Sequence, residues 1–265
     1  MYYLCQTQFG EAGSPYHKLE SVVRHSFYEL PVAYSMLNHP GSRPYELAAW
    51  LAPGLSYRES AGREESAAAG REYKLFPPVH AEYHFHPEEF LRSGREGRFI
   101  GRAEEIKEYI VEAFERIFKA PFPDNITITV AKEQEFRKIA PHPGTVGLSM
   151  NRRKEGLVSE IFVLNDTLAK VMLTIGHELG HVLTPALDNP HDEEAKAYAF
   201  SLVWIKAIKE YNLAGLAGAV VTEKPAENGL HNVAFSFVDK MLRQGMESWQ
   251  LYVGLIRNTI SMMTA

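Results

Sequence analysis

The stretch that decides the fold is Thr167-Leu-Ala-Lys-Val-Met-Leu-Thr-Ile-Gly-His-Glu-Leu-Gly-His-Val-Leu183. Its apolar residues recur every three or four positions, which predicts one amphipathic helix. These residues are Leu168, Val171, Met172, Ile175, Leu179, Val182 and Leu183. The cluster Asn165-Asp-Thr167 is typical of an N-cap, and Pro185 ends the helix because proline breaks the backbone hydrogen-bond ladder.

The predicted helix carries the pattern His-Glu-x-x-His. His177 and His181 are four positions apart, so both imidazoles lie on one helix face and can bind one metal ion. Ligands of this type favour zinc. Glu178, beside the first histidine, is placed to take the proton of a zinc-bound water as a general base. Two histidines also occur on a helix by chance or for packing, but the small neighbours Gly176 and Gly180 favour the metal site.

A catalytic zinc site requires a third protein ligand. The next acidic segment, His191-Asp-Glu-Glu194, opens a second predicted helix that runs to Ile208. One face of this helix carries Glu194, Ala197, Tyr198 and Ser201, and the neighbouring face carries Glu193, Lys196, Ala197 and Phe200. The alanines predict a close approach to the first helix. The residues alone leave His191, Asp192, Glu193 and Glu194 open as the third ligand.

Two classes of metalloenzyme do not fit the sequence. A metzincin would continue with a glycine and a histidine at the positions of Thr184 and Leu187. A peptide deformylase would need a cysteine ligand in a nearby upstream motif, and Cys5 is far away.

The pattern His-Glu-Leu-Gly-His followed by Glu-x-x-Ala-x-x-Phe resembles the gluzincin class of zinc metallopeptidases. It is similar in detail to the ImmA/IrrE-type and minimal gluzincin branches, over about residues 124–208. The resemblance implies a zinc-dependent peptidase, acting on a peptide or protein substrate, in which Glu194 is the third ligand beside His177 and His181. The family usually has Asn or Asp, which orients a zinc-bound histidine, where this chain has Tyr198.

The predicted fold class is α+β. Patterning indicates a helix over 103–120, a strand over 125–130, a helix over 132–139 and strands over 144–150 and 160–165, with a turn at 152–156. This order resembles the upper subdomain of a zincin-like fold, with a small mixed sheet before the active-site helix. In that fold the last strand before the metal helix binds substrate along its free edge. We assign this role to Glu160–Leu164, with Gly147–Met150 as the alternative.

The predicted organisation has two parts. Residues 1–100 form an N-terminal region of unassigned role that could cover the cleft, and residues 92–102 are typical of a linker. Residues 101–265 form the catalytic domain, in which 101–210 bind the metal and the helical part 211–265 supplies the lower wall of the cleft. His80, His84 and His86 alternate as on a strand and could bind a second metal, although a polar surface strand explains them more simply.

Composition excludes several functions. The chain has 265 residues, 45% of them hydrophobic, and a net charge of −5, so it has a substantial core but no basic signature for nucleic acid. The single cysteine excludes an internal disulfide framework. The sequence contains no apolar run of membrane-spanning length and no typical secretory signal, which predicts a cytoplasmic protein.

The oxyanion of a peptidase also needs a hydrogen-bond donor. His231 is the first candidate, followed by Tyr198, Tyr211 and Tyr252.

Two alternatives to an active peptidase stay open. One is a non-proteolytic binding or regulatory protein whose metal is structural or vestigial. The other is a latent enzyme in which Cys5 or His84–His86 supplies a fourth ligand.

Overall fold

The computed structural model of the protein describes residues 17–19, 85–222 and 229–263, with only the backbone described at 17–19 and 229–232. Cys5, His80 and His84 therefore lie outside the described residues, as do the side chain of His231 and most of the N-terminal region. The boundary predicted at residue 100 stays a prediction.

The described part of the chain contains six α-helices and two small sheets, which confirms the α+β class. The helices are α1 (Lys107–Phe118), α2 (Glu133–Ile139), α3 (Leu168–Val182), α4 (Pro190–Tyr211), α5 (Gly229–Arg243) and α6 (Ser248–Ile256). The strands are β1 (His17–Leu19), β2 (Phe99–Ile100), β3 (Ile126–Ala131), β4 (Gly147–Met150), β5 (Ser159–Leu164) and β6 (Asp166–Thr167).

The larger sheet has the strand order β1-β3-β5-β4. Strands β3 and β5 are parallel, with Ile128 opposite Ile161, whereas β1 and β4 run antiparallel to their neighbours. Our assignment of Glu160–Leu164 as the substrate-binding edge is wrong, because β5 is hydrogen-bonded on both sides. The chain leaves β3, crosses through α2 to β4 and returns to β5, so the alternative strand β4 lies at the edge. Within the described ranges, the outer side of β4 pairs with no strand.

Residues 92–102 are not a linker. Phe99 and Ile100 form β2, which pairs with β6 immediately before α3, and the side chain of Ile100 is fully buried. Phe85, Phe90 and Ile100 belong to the same hydrophobic core as α3 and α4. The glycines of this segment adopt backbone conformations that other residues rarely adopt, since Gly94 and Gly97 have positive φ angles.

Helix α3 packs closely against α4, as predicted. A Cβ at Gly180 would lie only 2.7 Å from the Cα of Ala197, and a Cβ at Gly176 would lie 2.6 Å from Cγ of Trp204. The indole Nε1 of Trp204 donates a 3.0 Å hydrogen bond to the carbonyl of Met172, across the same interface. The two small residues therefore determine how near the two site-bearing helices lie.

The C-terminal helices pack against α4. Phe235 of α5 contacts the ring of Tyr198, and Tyr252 of α6 contacts that of Phe200. Helix α6 ends at Ile256, and Ile260 folds back over Gly254. Among the described residues, no helix combines the length and apolar character that crossing a membrane requires.

Candidate metal centre

Three residues from two helices converge on one point. His177 and His181 of α3 and Glu194 of α4 place one ligand atom each within 4.8 Å of one another. The Glu194 carboxylate lies 3.1 Å from Nε2 of His177 and 3.7 Å from Nε2 of His181. The structure thus brings together the three residues that the sequence and the resemblance single out as ligands.

The start of α4 places Glu194 at this point. Asn189 is the N-cap, and its side-chain oxygen accepts a hydrogen bond of 2.8 Å from the backbone N–H of His191. The next acid, Asp192, faces away from the site, because its carboxylate accepts hydrogen bonds from Ser261 Oγ (2.8 Å) and from the backbone N–H of Met262 (2.7 Å). The converging group consists of His177, His181 and Glu194. Neither His191 nor Asp192, two alternatives for the third ligand, belongs to it.

The remaining alternative, Glu193, lies behind His181. Its Oε1 is 2.9 Å from Nδ1 of His181, and a carboxylate oxygen can only accept, so Nδ1 is the donor. Oε2 of Glu193 accepts from the backbone N–H of Leu187 (2.7 Å) and pairs with Lys196 Nζ (2.9 Å). Glu193 therefore orients a candidate ligand instead of being one. A carboxylate behind a ligating histidine is common in metal sites.

His177 is oriented by a hydroxyl. The Oγ of Ser201 donates to the carbonyl of Ala197 at 2.9 Å and is 3.2 Å from Nδ1 of His177. Because its one proton is used, this hydroxyl accepts from Nδ1. The ring of Phe85 stacks on that of His177, with centroids 4.3 Å apart and planes 9° apart. Tyr198, at the position where Asn or Asp was expected, packs its ring against the same imidazole at 5.0 Å.

The donor arrangement fits a cation. With both Nδ1 atoms donating outwards, the Nε2 atoms of His177 and His181 face the Glu194 carboxylate, and each imidazole in its neutral form presents a lone pair to it. Lone pairs and a carboxylate that face one another in a buried site require a positive charge between them, which a metal ion or a proton on an imidazole supplies. Glu194 is only 1% exposed, so water cannot screen it.

The electrostatics of His181 agree with this geometry. Burial lowers the pKa of His181, but the hydrogen bond that its Nδ1 donates to Glu193 and the charges of Glu194, Glu193 and Glu178 outweigh this effect and raise the pKa to about 9. In the metal-free protein the carboxylates thus favour a proton on this ring, and a metal ion bound at Nε2 would take the place of that positive charge. Burial, together with the charge of Glu194, also raises the pKa of the Tyr198 hydroxyl well above its usual value.

Glu178 connects the converging group to the edge strand. Its side chain is buried, and its carboxylate lies directly against Gly147 of β4, in space that a Cβ at 147 would occupy. It is also near enough to His181 to affect its pKa. The predicted general base therefore lies between the candidate ligands and the sheet edge.

Of the predicted oxyanion donors, Tyr198 lies beside the candidate ligand His177, with ring centroids 5.0 Å apart, and its role as a donor stays a prediction. Tyr211 lies at the far end of α4, where Arg116 stacks over its ring at 4.8 Å. Tyr198 and Tyr252 are fully buried in aromatic clusters. His86 belongs to the segment His84–His86, which could supply a fourth metal ligand. Its side chain bonds that of Glu88 at 3.0 Å and is not part of the converging group of His177, His181 and Glu194. The role of His231 as a donor to the oxyanion stays a prediction.

Sequence reasoning missed one residue that supports the site from a distance. Asn151, beyond the end of β4, donates from Nδ2 to the carbonyls of His181 and Thr184, both at 2.6 Å. Nearby, Arg153 Nε donates to the carbonyl of Val182 at 3.1 Å. These bonds cap the last turn of α3, which carries His181. Nothing in the local sequence pattern around α3 could identify a cap thirty residues earlier in the chain.

Comparison with models of protein families, with curated proteins and with solved structures finds no match to this chain.

Proposed function

We propose that this protein is a zinc-dependent peptidase with a zincin-like fold of the gluzincin class. The observation that carries the proposal is the convergence of His177, His181 and Glu194, with each imidazole held through Nδ1 and its Nε2 facing the carboxylate of Glu194. Two imidazoles and one carboxylate are a donor set typical of catalytic zinc. Bound there, zinc would supply a Lewis acid that polarises the substrate carbonyl and makes water more acidic.

Glu178 acts as the general base in this proposal. Its carboxylate removes a proton from the water whose oxygen attacks the peptide carbonyl carbon. The same group then returns that proton to the amine nitrogen as the carbon–nitrogen bond breaks. The position of Glu178 supports this role, because its carboxylate lies beside the candidate ligands yet outside the converging group.

Strand β4 is the proposed docking edge for the substrate. Its outer side pairs with no strand in the described ranges, and Gly147 touches the carboxylate of Glu178. An extended peptide that hydrogen-bonds to this edge would lie alongside the general base. This geometry favours a peptide or protein substrate over a compact small molecule.

The experiment that tests the proposal is the variant Glu178→Gln, which keeps the size of the side chain and removes its basicity. We expect its kcat for cleavage of a peptide library to fall at least about 100-fold, with zinc content unchanged. The control is Glu155→Gln, which neutralises an exposed carboxylate in the turn after β4. Undiminished turnover in the Glu178→Gln variant would refute the mechanism.

A second candidate is a non-proteolytic protein that uses the same metal centre structurally. The observation favouring it is the low exposure of the centre: 1% for Glu194, 2% for His177 and 5% for Glu178, with Phe85 stacked over His177. Zinc-loaded wild-type protein that cleaves no member of a diverse peptide library would favour this candidate.

A further inference from the structure

Lys196 is a buried charge that the proposed mechanism does not use. It lies on α4 and is 0% exposed, although lysines are rarely buried without a partner. Its Nζ lies 2.9 Å from Oε2 of Glu193 and 3.2 Å from Oγ1 of Thr184. It also lies 3.4 Å from the carbonyl of His181 and 3.5 Å from that of Pro185. The lysine therefore connects α4 to the end of the metal helix.

The contacts of Lys196 lead to a candidate ligand. One oxygen of Glu193 is bound by Lys196 and by the N–H of Leu187, while the other bonds Nδ1 of His181. Because donors on both sides hold the carboxylate, its plane and its distance from the imidazole are determined. The result is a continuous chain Lys196–Glu193–His181 that ends at the converging Nε2 atom.

We propose that Lys196 is a positioning residue that acts through Glu193 to hold His181 in its metal-binding orientation. This inference rests on the metal centre of the proposed function. The rival explanation is structural: Lys196 only ties the end of α3 to α4 through the carbonyls of His181 and Pro185.

The two explanations differ in how Lys196 and Glu193 combine. If Lys196 acts through the carboxylate of Glu193, its removal has no further effect on metal affinity once an amide has replaced that carboxylate. If Lys196 acts only through carbonyl groups, the losses of zinc-binding free energy in the two single variants add in the double variant. Outer groups that orient a ligating histidine typically contribute about 10- to 100-fold to metal affinity.

The experiment measures zinc affinity, by competition with a chromophoric chelator, for the wild type, Lys196→Met, Glu193→Gln and the double variant. We expect each single variant to bind zinc about 10- to 100-fold more weakly, and the double variant to match Glu193→Gln within about 3-fold. The control Thr184→Val removes one hydrogen-bond partner of Lys196 but leaves the pair with Glu193, and it should retain wild-type affinity. The absorption spectrum of bound Co²⁺ should change in Lys196→Met and not in Thr184→Val.

The design remains decisive if Lys196→Met does not fold. The double variant leaves no uncompensated buried charge, so it can be compared with Glu193→Gln alone. Wild-type affinity in Lys196→Met, or a double variant that binds zinc at least about 10-fold more weakly than Glu193→Gln, would overturn the inference and leave the metal centre of the proposed function unaffected. Absence of zinc binding in the wild type would overturn both.

Discussion

At the scale of single residues, Gly147 determines where the carboxylate of Glu178 can lie. A Cβ at position 147 would overlap Oε1 of Glu178 and lie 2.6 Å from Cγ2 of Thr174. The variant Gly147→Ala should therefore displace Glu178 or β4 and lower kcat by about the 100-fold expected for loss of the base. Zinc content should not change, because neither residue is a proposed ligand.

A matched control is Gly101→Ala, since a Cβ at Gly101 would make only ordinary contacts of 3.6 Å or more. Peptide hydrolysis and zinc stoichiometry are measured on both variants. Wild-type turnover in Gly147→Ala would show that the position of Glu178 against β4 does not matter for activity.

Phe85 provides a second test at this scale, because its ring stacks on the imidazole of His177. Aromatic stacking contributes about 0.5–1.5 kcal/mol, which corresponds to about 2- to 10-fold in affinity if the contact favours the metal-binding orientation. We expect Phe85→Leu to weaken zinc binding by that factor, measured by chelator competition.

The control for Phe85 is Phe90→Leu, a similarly buried phenylalanine that contacts Phe85 and Tyr198. Both variants should lower the free energy of unfolding of the metal-free protein by similar amounts. An equal loss of zinc affinity in the two would show that Phe85 contributes only to packing.

At the scale of elements, the distance between α3 and α4 determines whether Glu194 can reach the two histidines. Gly180→Ala adds a methyl group that would lie 2.7 Å from the Cα of Ala197, a backbone atom that cannot rotate away. Alanine favours a helix over glycine by about 1 kcal/mol, but overpacking of a tight interface costs about 1–3 kcal/mol. We expect the packing cost to prevail, so that both the unfolding free energy and the zinc affinity fall.

Gly218→Ala is the control for this prediction, because a Cβ there would meet only the flexible end of the Arg95 side chain. Chemical denaturation in the presence of a chelator gives the unfolding free energy of the metal-free protein. Competition with a chromophoric chelator gives the zinc affinity. A Gly180→Ala protein that is more stable than the wild type and binds zinc as tightly would show that the interface between α3 and α4 accommodates the added methyl group.

At the scale of the whole molecule, features set by local spacing could be predicted from the sequence. His177 and His181 share a face because they are one helical turn apart, and the close approach at Gly180 follows from small residues on two consecutive helices. The neighbouring acids Glu193 and Glu194 could not be separated by spacing, because either can face α3 depending on how α4 is rotated. Only the assembled interface places Glu194 at the two Nε2 atoms and Glu193 behind His181.

Features that depend on distant parts of the chain could not be predicted. Strand order reflects the crossover between β3 and β4, and no pattern within β5 indicates that neighbours occupy both of its sides. The cap that Asn151 provides to α3 joins residues thirty positions apart. The glycines around Ile100 predict a linker, whereas the burial of Ile100 depends on the rest of the core.

The central claim is that one divalent metal binds between α3 and α4. The most direct measurement is an anomalous difference map at the zinc absorption edge, from crystals of the zinc-loaded 265-residue chain. The account predicts one peak about 2.0–2.2 Å from Nε2 of His177, Nε2 of His181 and an oxygen of Glu194. A zinc peak elsewhere in the molecule, or one that lacks Glu194 among its ligands, would contradict it.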